Sequence, residues 1–160
     1  MFYAKGKGTV KDTEKGIWGP SGSLNVYNLF VKVGLSKYKK FIDLGSGDGK
    51  VVLIASLFTQ AEGIEFDKEF LEVGKKIKDK LKLDAKFIRG DFLKHDLSSY
   101  DFIFINPDKG FEYDLEEKLL KEMQPKAKLF VYNNIFLPRF LKKGKTYWFE
   151  NIPIIQYTKK

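Results

Sequence analysis

The sequence predicts an α/β protein: a three-layer, doubly wound, mostly parallel sheet of seven strands, the last two forming an antiparallel C-terminal hairpin. Three observations predict it. Short apolar runs suited to buried strands alternate with stretches of helical apolar spacing, the order that gives a parallel sheet covered by helices. One such run passes without a gap through a glycine turn into an apolar helix, over residues 41–58. Glycine or polar residues then fall at the carboxyl ends of four successive strands, at Gly45, Glu65, Asp91 and Asn106. Ligands of open parallel sheets sit at that edge.

Composition sets the frame. Residues 1–160 are expected to form a single domain with 1–20 as an N-terminal arm, long enough to bury roughly 70% of the unfolded surface. The chain has no cysteine, which excludes disulfides and thiolate metal sites and suits a reducing cytoplasm. A single histidine, His95, gives no basis for a histidine-built metal site. The longest apolar run, residues 51–58, is far short of the ~20 residues a membrane span requires. The net charge of +8 suits an acidic partner such as nucleic acid, or a lysine-rich solvated surface of the kind found in heat-adapted proteins.

Each element follows in order. Residues 1–20 are polar and glycine-rich without a period, with Trp18 and Pro20 standing out. Ser21 is placed to cap a helix over 22–35, with Leu24, Tyr27, Val31 and Leu35 as the stripe facing the sheet. Residues 41–44 form the first strand, and 61–66 the second. Asp67 caps a helix to about residue 82 with Phe70, Gly74, Ile77 and Leu81 as its apolar stripe, its other positions being rich in lysine. Residues 85–88 form the third strand, and 93–99 a polar loop holding His95 and Asp96. Residues 100–105 are nearly all apolar, as expected of a central strand. A helix over 111–123, a fifth strand over 128–132 and at most a short helix over 138–143 come next. Residues 145–150 and 154–157, flanking Pro153, close one edge as the antiparallel pair.

The glycine turn carries the chemistry. A strand turning through Gly45, Ser46, Gly47, Asp48 and Gly49 into a helix aims unpartnered amides at a ligand. The dinucleotide pattern G-x-G-x-x-G needs its third glycine where this chain has Lys50. Charge discriminates further. Asp43 and Asp48 would repel a pyrophosphate, whereas S-adenosyl-L-methionine has no phosphate and carries a sulfonium and an ammonium. Glu65 can accept hydrogen bonds from both ribose hydroxyls.

Asp43-Leu-Gly-Ser-Gly-Asp-Gly49 with Glu65 resembles the first two motifs of the Rossmann-like (class I) S-adenosylmethionine-dependent methyltransferases. The resemblance implies the Rossmann-like methyltransferase fold, with Gly45, Ser46, Gly47 and Gly49 lining the methionine and ribose. Asp43 would orient the loop or reach the ammonium through water. Asp91 resembles the acid that contacts the adenine amino group, with Phe92 beside the ring and Phe66 against its other side. Methyl transfer from a sulfonium asks mainly for positioning, and no nucleophilic triad is evident.

The acceptor must be read from Asn106-Pro-Asp-Lys-Gly110. Methyltransferases of amino groups on bases carry Asn/Asp-Pro-Pro-aromatic there, whose side-chain oxygen and proline-held carbonyl accept from the target amine. This chain keeps Asn106-Pro107 but replaces Pro-aromatic with Asp108-Lys109, which removes the stacking platform. Asp108 could instead attract a lysine ammonium and assist its deprotonation, needed because free lysine has a pKa of about 10.4. Trp18 to Ser21, the glycine motif and Leu115-Glu-Glu-Lys-Leu119 are similar to the small lysine methyltransferases of archaea and mitochondria. That resemblance places Trp18 and Ser21 near the methionine end. The expected activity is methylation of a macromolecule, protein lysine first and RNA (tRNA or rRNA) second, with Asn106 and Asp108 catalytic. A noncatalytic cofactor- or RNA-binding module is the remaining alternative.

Overall fold

A computed structural model of the chain describes residues 11–13, 16–18, 21–111 and 113–160, with the main chain alone over 11–13 and 16–18. The side chain of Trp18, and Pro20, therefore lie outside the described residues. Within the stretch expected to be an irregular arm, β1 (Lys11–Thr13) and β2 (Gly16–Trp18) pair as a small antiparallel hairpin, Lys11 opposite Trp18.

The main elements follow as α1 (Ser23–Val33), β3 (Lys40–Leu44), α2 (Lys50–Ala55), β4 (Gln60–Glu65), α3 (Lys68–Leu81), β5 (Ala85–Arg89) and β6 (Phe102–Ile105). Then come α4 (Asp114–Glu122), β7 (Lys128–Tyr132), β8 (Lys142–Phe149) and β9 (Ile152–Thr158). The sheet order is β5-β4-β3-β6-β7-β9-β8. Strands β3 to β7 are parallel, and β9 and β8 run antiparallel at the far edge. Chain order reverses at β3, whose neighbours are β4 on one side and β6 on the other, so the crevice at their carboxyl ends is the switch point of the sheet.

The inner strands β3, β6 and β7 are buried on both faces, as expected of a parallel sheet covered by helices. On one face α1 and α2 cover Phe41, Phe102, Phe104 and Phe130, and Ile77 of α3 packs against the same core. Phe30 meets Phe41, Phe102 and Phe104 edge-on, with ring centroids 5.5, 5.9 and 6.3 Å apart. On the other face α4 supplies Leu115 and Leu119, and irregular chain supplies Leu97, Tyr100, Phe136 and Leu141.

Four expectations are corrected. In α1 the buried stripe is Val26, Leu29 and Phe30, while Leu24 is 68% exposed and Tyr27 and Val31 face solvent. Both sets have helical spacing, and only the phenylalanines of the sheet decide which set turns inward. Ser21 does not cap α1; the cap position is Gly22, which makes no side-chain cap bond. The first strand of the C-terminal hairpin begins at Lys142 and not at 145, within the stretch expected to hold at most a short helix. Leu81 is 58% exposed, and Leu71 takes its place in the buried stripe of α3. Asp67 caps α3 as expected, accepting from the Glu69 and Phe70 amides at 2.8 and 3.3 Å.

Candidate functional site

The glycine turn leaves β3 at the switch point. Gly45, Gly47 and Gly49 all have positive φ, +77°, +54° and +79°. A Cβ added at Gly45 would meet only the Phe92 ring, at 3.9 Å, so the space outside that residue is open. Gly49 is different. A Cβ there would overlap the Phe87 ring and stand 3.2 Å from the Cα of Gly74. Gly74, buried in the stripe of α3 as expected, lets α3 approach the carbonyl of Asp48. The last glycine of the turn is thus a packing position between loop, β5 and α3.

Glu65, at the end of β4, anchors the turn from below. Its Oε2 accepts from Gly47 N at 2.8 Å and its Oε1 from Asp67 N at 2.8 Å. Gly45 N and Ser46 N both donate to the Ile64 carbonyl, at 2.9 and 3.0 Å. The Ser46 hydroxyl is buried against Gly63 without a hydrogen-bond partner among the described residues, and the turn amides expected to be unpartnered are bonded within the fold, Gly45 N and Ser46 N to the Ile64 carbonyl, Gly47 N to Glu65 and Gly49 N to the Ser46 carbonyl. Asp43 is buried in β3. Its burial, then the carboxylates of Glu65 and Asp48, push its carboxyl well above the usual carboxylate range. At the end of β5, Asp91 Oδ1 accepts from Leu93 N at 3.0 Å. The Phe92 ring lies between Gly45 and Phe111, meeting the latter edge-on at 5.5 Å. Phe66, beside Glu65, is exposed.

The ends of β6 and β7 contribute side chains that bond one another. Asn106 Nδ2 donates to Ser21 Oγ at 3.0 Å, which is what the buried Ser21 hydroxyl is for. Asn133 Nδ2 donates to Asn106 Oδ1 at 3.0 Å and to the Pro107 carbonyl at 3.3 Å. Tyr132 accepts the Gly22 N–H at 3.1 Å and so ties the start of α1 to the same rim. Asp108 is half-buried and Lys109 exposed. The loop from β7 to β8 is held by buried Glu116 of α4, whose carboxylate accepts from the amides of Arg139, Phe140 and Leu141 at 2.9, 2.6 and 2.9 Å.

The structure therefore gathers Asp43, Gly45, Ser46, Gly47, Asp48, Gly49, Glu65, Phe66, Asp91, Phe92, Asn106 and Ser21 at the carboxyl rim. Asn133 was missed. The signal for it existed: Asn133 follows an apolar strand in the same way that Asn106 does. A second polar cluster sits elsewhere, toward the amino ends of the strands. There Glu62 accepts from Tyr100 at 2.6 Å and pairs with Lys40 at 3.3 Å, and the single histidine, His95, meets the Tyr100 hydroxyl at 3.0 Å. Burial pushes Glu62 up, but the Tyr100 and Lys40 contacts outweigh it and hold the carboxylate below its usual range. Among the described residues no group of three or more potential ligands could hold a metal ion, and no helix is long and apolar enough to cross a membrane.

A family model described as a methyltransferase domain matches residues 35–154. Among solved structures, the chain is similar to an RNA methyltransferase from Salinibacter ruber in complex with S-adenosyl-L-homocysteine, at 19% identity and a TM-score of 0.78, over 87% of this chain and 92% of that one. It is also similar to the putative methyltransferase yhhF from Escherichia coli, at 16% identity and a TM-score of 0.72, over 89% of each chain. The PH0226 protein from Pyrococcus horikoshii gives 13% identity and a TM-score of 0.69, over 86% of this chain and 89% of that one. At these identities the likeness is one of fold. No curated protein sequence matches.

Proposed function

The chain belongs to the methyltransferase domain family and is an S-adenosyl-L-methionine-dependent methyltransferase, and from that premise we propose that it methylates a protein lysine side chain. S-adenosyl-L-methionine supplies a methyl group on a sulfonium, and its transfer to an amine nitrogen leaves a neutral thioether and releases a proton from the amine. The residues at the switch point fit such a group. The space outside Gly45 is open, and Asp43, Asp48 and Glu65 bring acidic character to a turn where a cation would be stabilised. In this reading the 45–49 main chain and Glu65 hold the methionine and ribose, each Glu65 oxygen keeping a second lone pair beyond its amide bond. Asp91, Phe92 and Phe66 hold the adenine, and Trp18 and Ser21 lie toward the methionine end.

The observation that carries the acceptor is the chemistry of the β6 end. Asn106 Oδ1, the Pro107 carbonyl and the Asp108 carboxylate are all hydrogen-bond acceptors, suited to an amine with several N–H groups. Phe111, the next ring along the chain from Asn106, packs edge-on against Phe92 and Phe136, at 5.5 and 5.9 Å, and so is engaged with the apolar core behind the rim. A second reading, RNA as acceptor, is favoured by the Salinibacter ruber neighbour and by the net charge of +8. Transfer of label from radiolabelled donor into cell extract, followed by protease or nuclease, separates the two. Lysine methylation predicts label lost to protease and resistant to nuclease. Label that survives protease and vanishes with nuclease overturns it in favour of RNA.

A further inference from the structure

Asn133, at the end of β7, has a side chain that none of the roles above uses. Its φ of +74° lies in the left-handed region, which asparagine and glycine tolerate better than other residues. Its amide nitrogen donates to two oxygens at once, Asn106 Oδ1 at 3.0 Å and the Pro107 carbonyl at 3.3 Å, while its Oδ1 accepts from Ile135 N at 2.8 Å. The orientation is determined by these partners. A flipped Asn133 would set its oxygen against two acceptors and its NH2 against the Ile135 N–H. Asn106 is fixed in turn by its donation to Ser21 Oγ at 3.0 Å.

We propose that Asn133 determines acceptor specificity, its carboxamide NH2 holding in the resting enzyme the place that an acceptor amine must take. This rests on the reading of the rim as the site of transfer to an amine. Asn106 follows Ile105, the register partner of Leu44, so its acceptors stand beside the start of the glycine turn. Two acceptor oxygens converging on one nitrogen recognise an amine with two N–H groups, and hold its lone pair directed away from them. Asn133 already satisfies that pair. A neutral base amine offers the two oxygens nothing better than the carboxamide it would have to displace. An alkylammonium does, because hydrogen bonds from a charged donor are roughly twice as strong. The Asn133 carboxamide thereby admits a charged alkylamine and disfavours a neutral amine; one ammonium proton then passes to solvent, and the freed lone pair would take the methyl group as its bond to sulfur breaks and the neutral thioether leaves.

Sinefungin tests this, since it carries a charged alkylamine where S-adenosylmethionine carries the methylsulfonium. Its affinity is measured by calorimetry against that of S-adenosylhomocysteine, which has no group there, in the wild type, Asn133→Gly and Asn133→Asp. Glycine accepts the positive φ and removes the competing NH2. Aspartate keeps the acceptor for Ile135 N and replaces the donor with a carboxylate. The ratio of sinefungin to S-adenosylhomocysteine affinity is expected to rise about five- to tenfold in Asn133→Gly, on the order of one hydrogen bond, and further in Asn133→Asp. A merely structural role would weaken both ligands together and leave the ratio unmoved. An unchanged or falling ratio in whichever variant folds overturns the proposal. Failure of S-adenosylhomocysteine to bind the wild type would instead bring down the cofactor reading beneath it.

Discussion

At the carboxyl ends of β3 and β4 the rim is a glycine turn held by the Ile64 carbonyl and the Glu65 carboxylate; at the ends of β6 and β7 it is a relay of side chains, Ser21, Asn106 and Asn133, bonded to one another and to nearby main chain. In the first half, the Gly45 and Ser46 amides donate to the Ile64 carbonyl and the Gly47 amide to Glu65, which fixes a turn of positive-φ glycines in place. In the second half, Ser21, Asn106 and Asn133 form a chain of carboxamide and hydroxyl bonds. The difference teaches what each half can recognise. Fixed amides and carboxylates suit a donor that is the same in every turnover. Side chains can be exchanged one at a time, and so can set which acceptor is used.

Glycine-to-alanine changes offer the most forceful way to break this comparison, because the first half depends on main-chain geometry. Gly49→Ala adds left-handed strain and drives a Cβ into the Phe87 ring. The two costs together are about 3 kcal/mol, or a fall in melting temperature of roughly 6–12 °C. Gly45→Ala adds the strain alone, since its Cβ would make only an ordinary contact with the Phe92 ring, at 3.9 Å, and is expected to cost about 1 kcal/mol. Thermal unfolding of the pair checks it. Equal losses would mean that Gly49 is not the seat of the loop against β5 and α3.

Glu116→Gln sharpens the comparison from the other half. The buried carboxylate accepts three main-chain amides, and a carboxamide would turn an NH2 toward at least one of them. Leaving a buried donor unpaired costs about 1–3 kcal/mol. Faster hydrogen exchange is expected at residues 139–141 and not at 45–49. Equal acceleration at both would show that the two halves of the rim unlock as one.

The same contrast explains what the sequence could convey. The first half is local: Asp43 to Gly49 is one continuous stretch and Glu65 ends the next strand, so the glycine turn and the acid beneath it are legible in charge and spacing. The second half joins residues 27 and 85 positions apart, Asn133 to Asn106 and Asn106 to Ser21. No local pattern announces such a pairing: Ser21 stands in the sequence as a helix cap or a neighbour of the methionine end, and Asn133 only as a polar residue after an apolar strand. The inward face of α1 was misjudged for a related reason. Leu24, Tyr27 and Val31 satisfy helical spacing as well as Val26, Leu29 and Phe30 do. The choice is made by Phe41, Phe102 and Phe104, which lie on strands that come later in the chain.

The smallest effect is expected at Asp43, and it is read against pH. Burial first, then the carboxylates of Glu65 and Asp48, hold its carboxyl well above the usual carboxylate range. In the unfolded chain an aspartate titrates near 3.9. The folded state therefore binds this proton more tightly, and the stability it contributes is fully present below about pH 4. That contribution is lost as pH rises through the folded value. Asp43→Asn removes the titration, so the stability of the variant relative to wild type should rise across that window, by at most about 1.4 kcal/mol per pH unit. Denaturant midpoints measured over the pH range report it. Donor binding should run the other way. An ionised Asp43 attracts a cation, so wild-type affinity for S-adenosylmethionine should climb with pH through the same window, and the Asp43→Asn profile should be flatter. Identical slopes in the two proteins would remove the Asp43 charge from the donor half and leave the glycine turn and Glu65 to hold the donor alone.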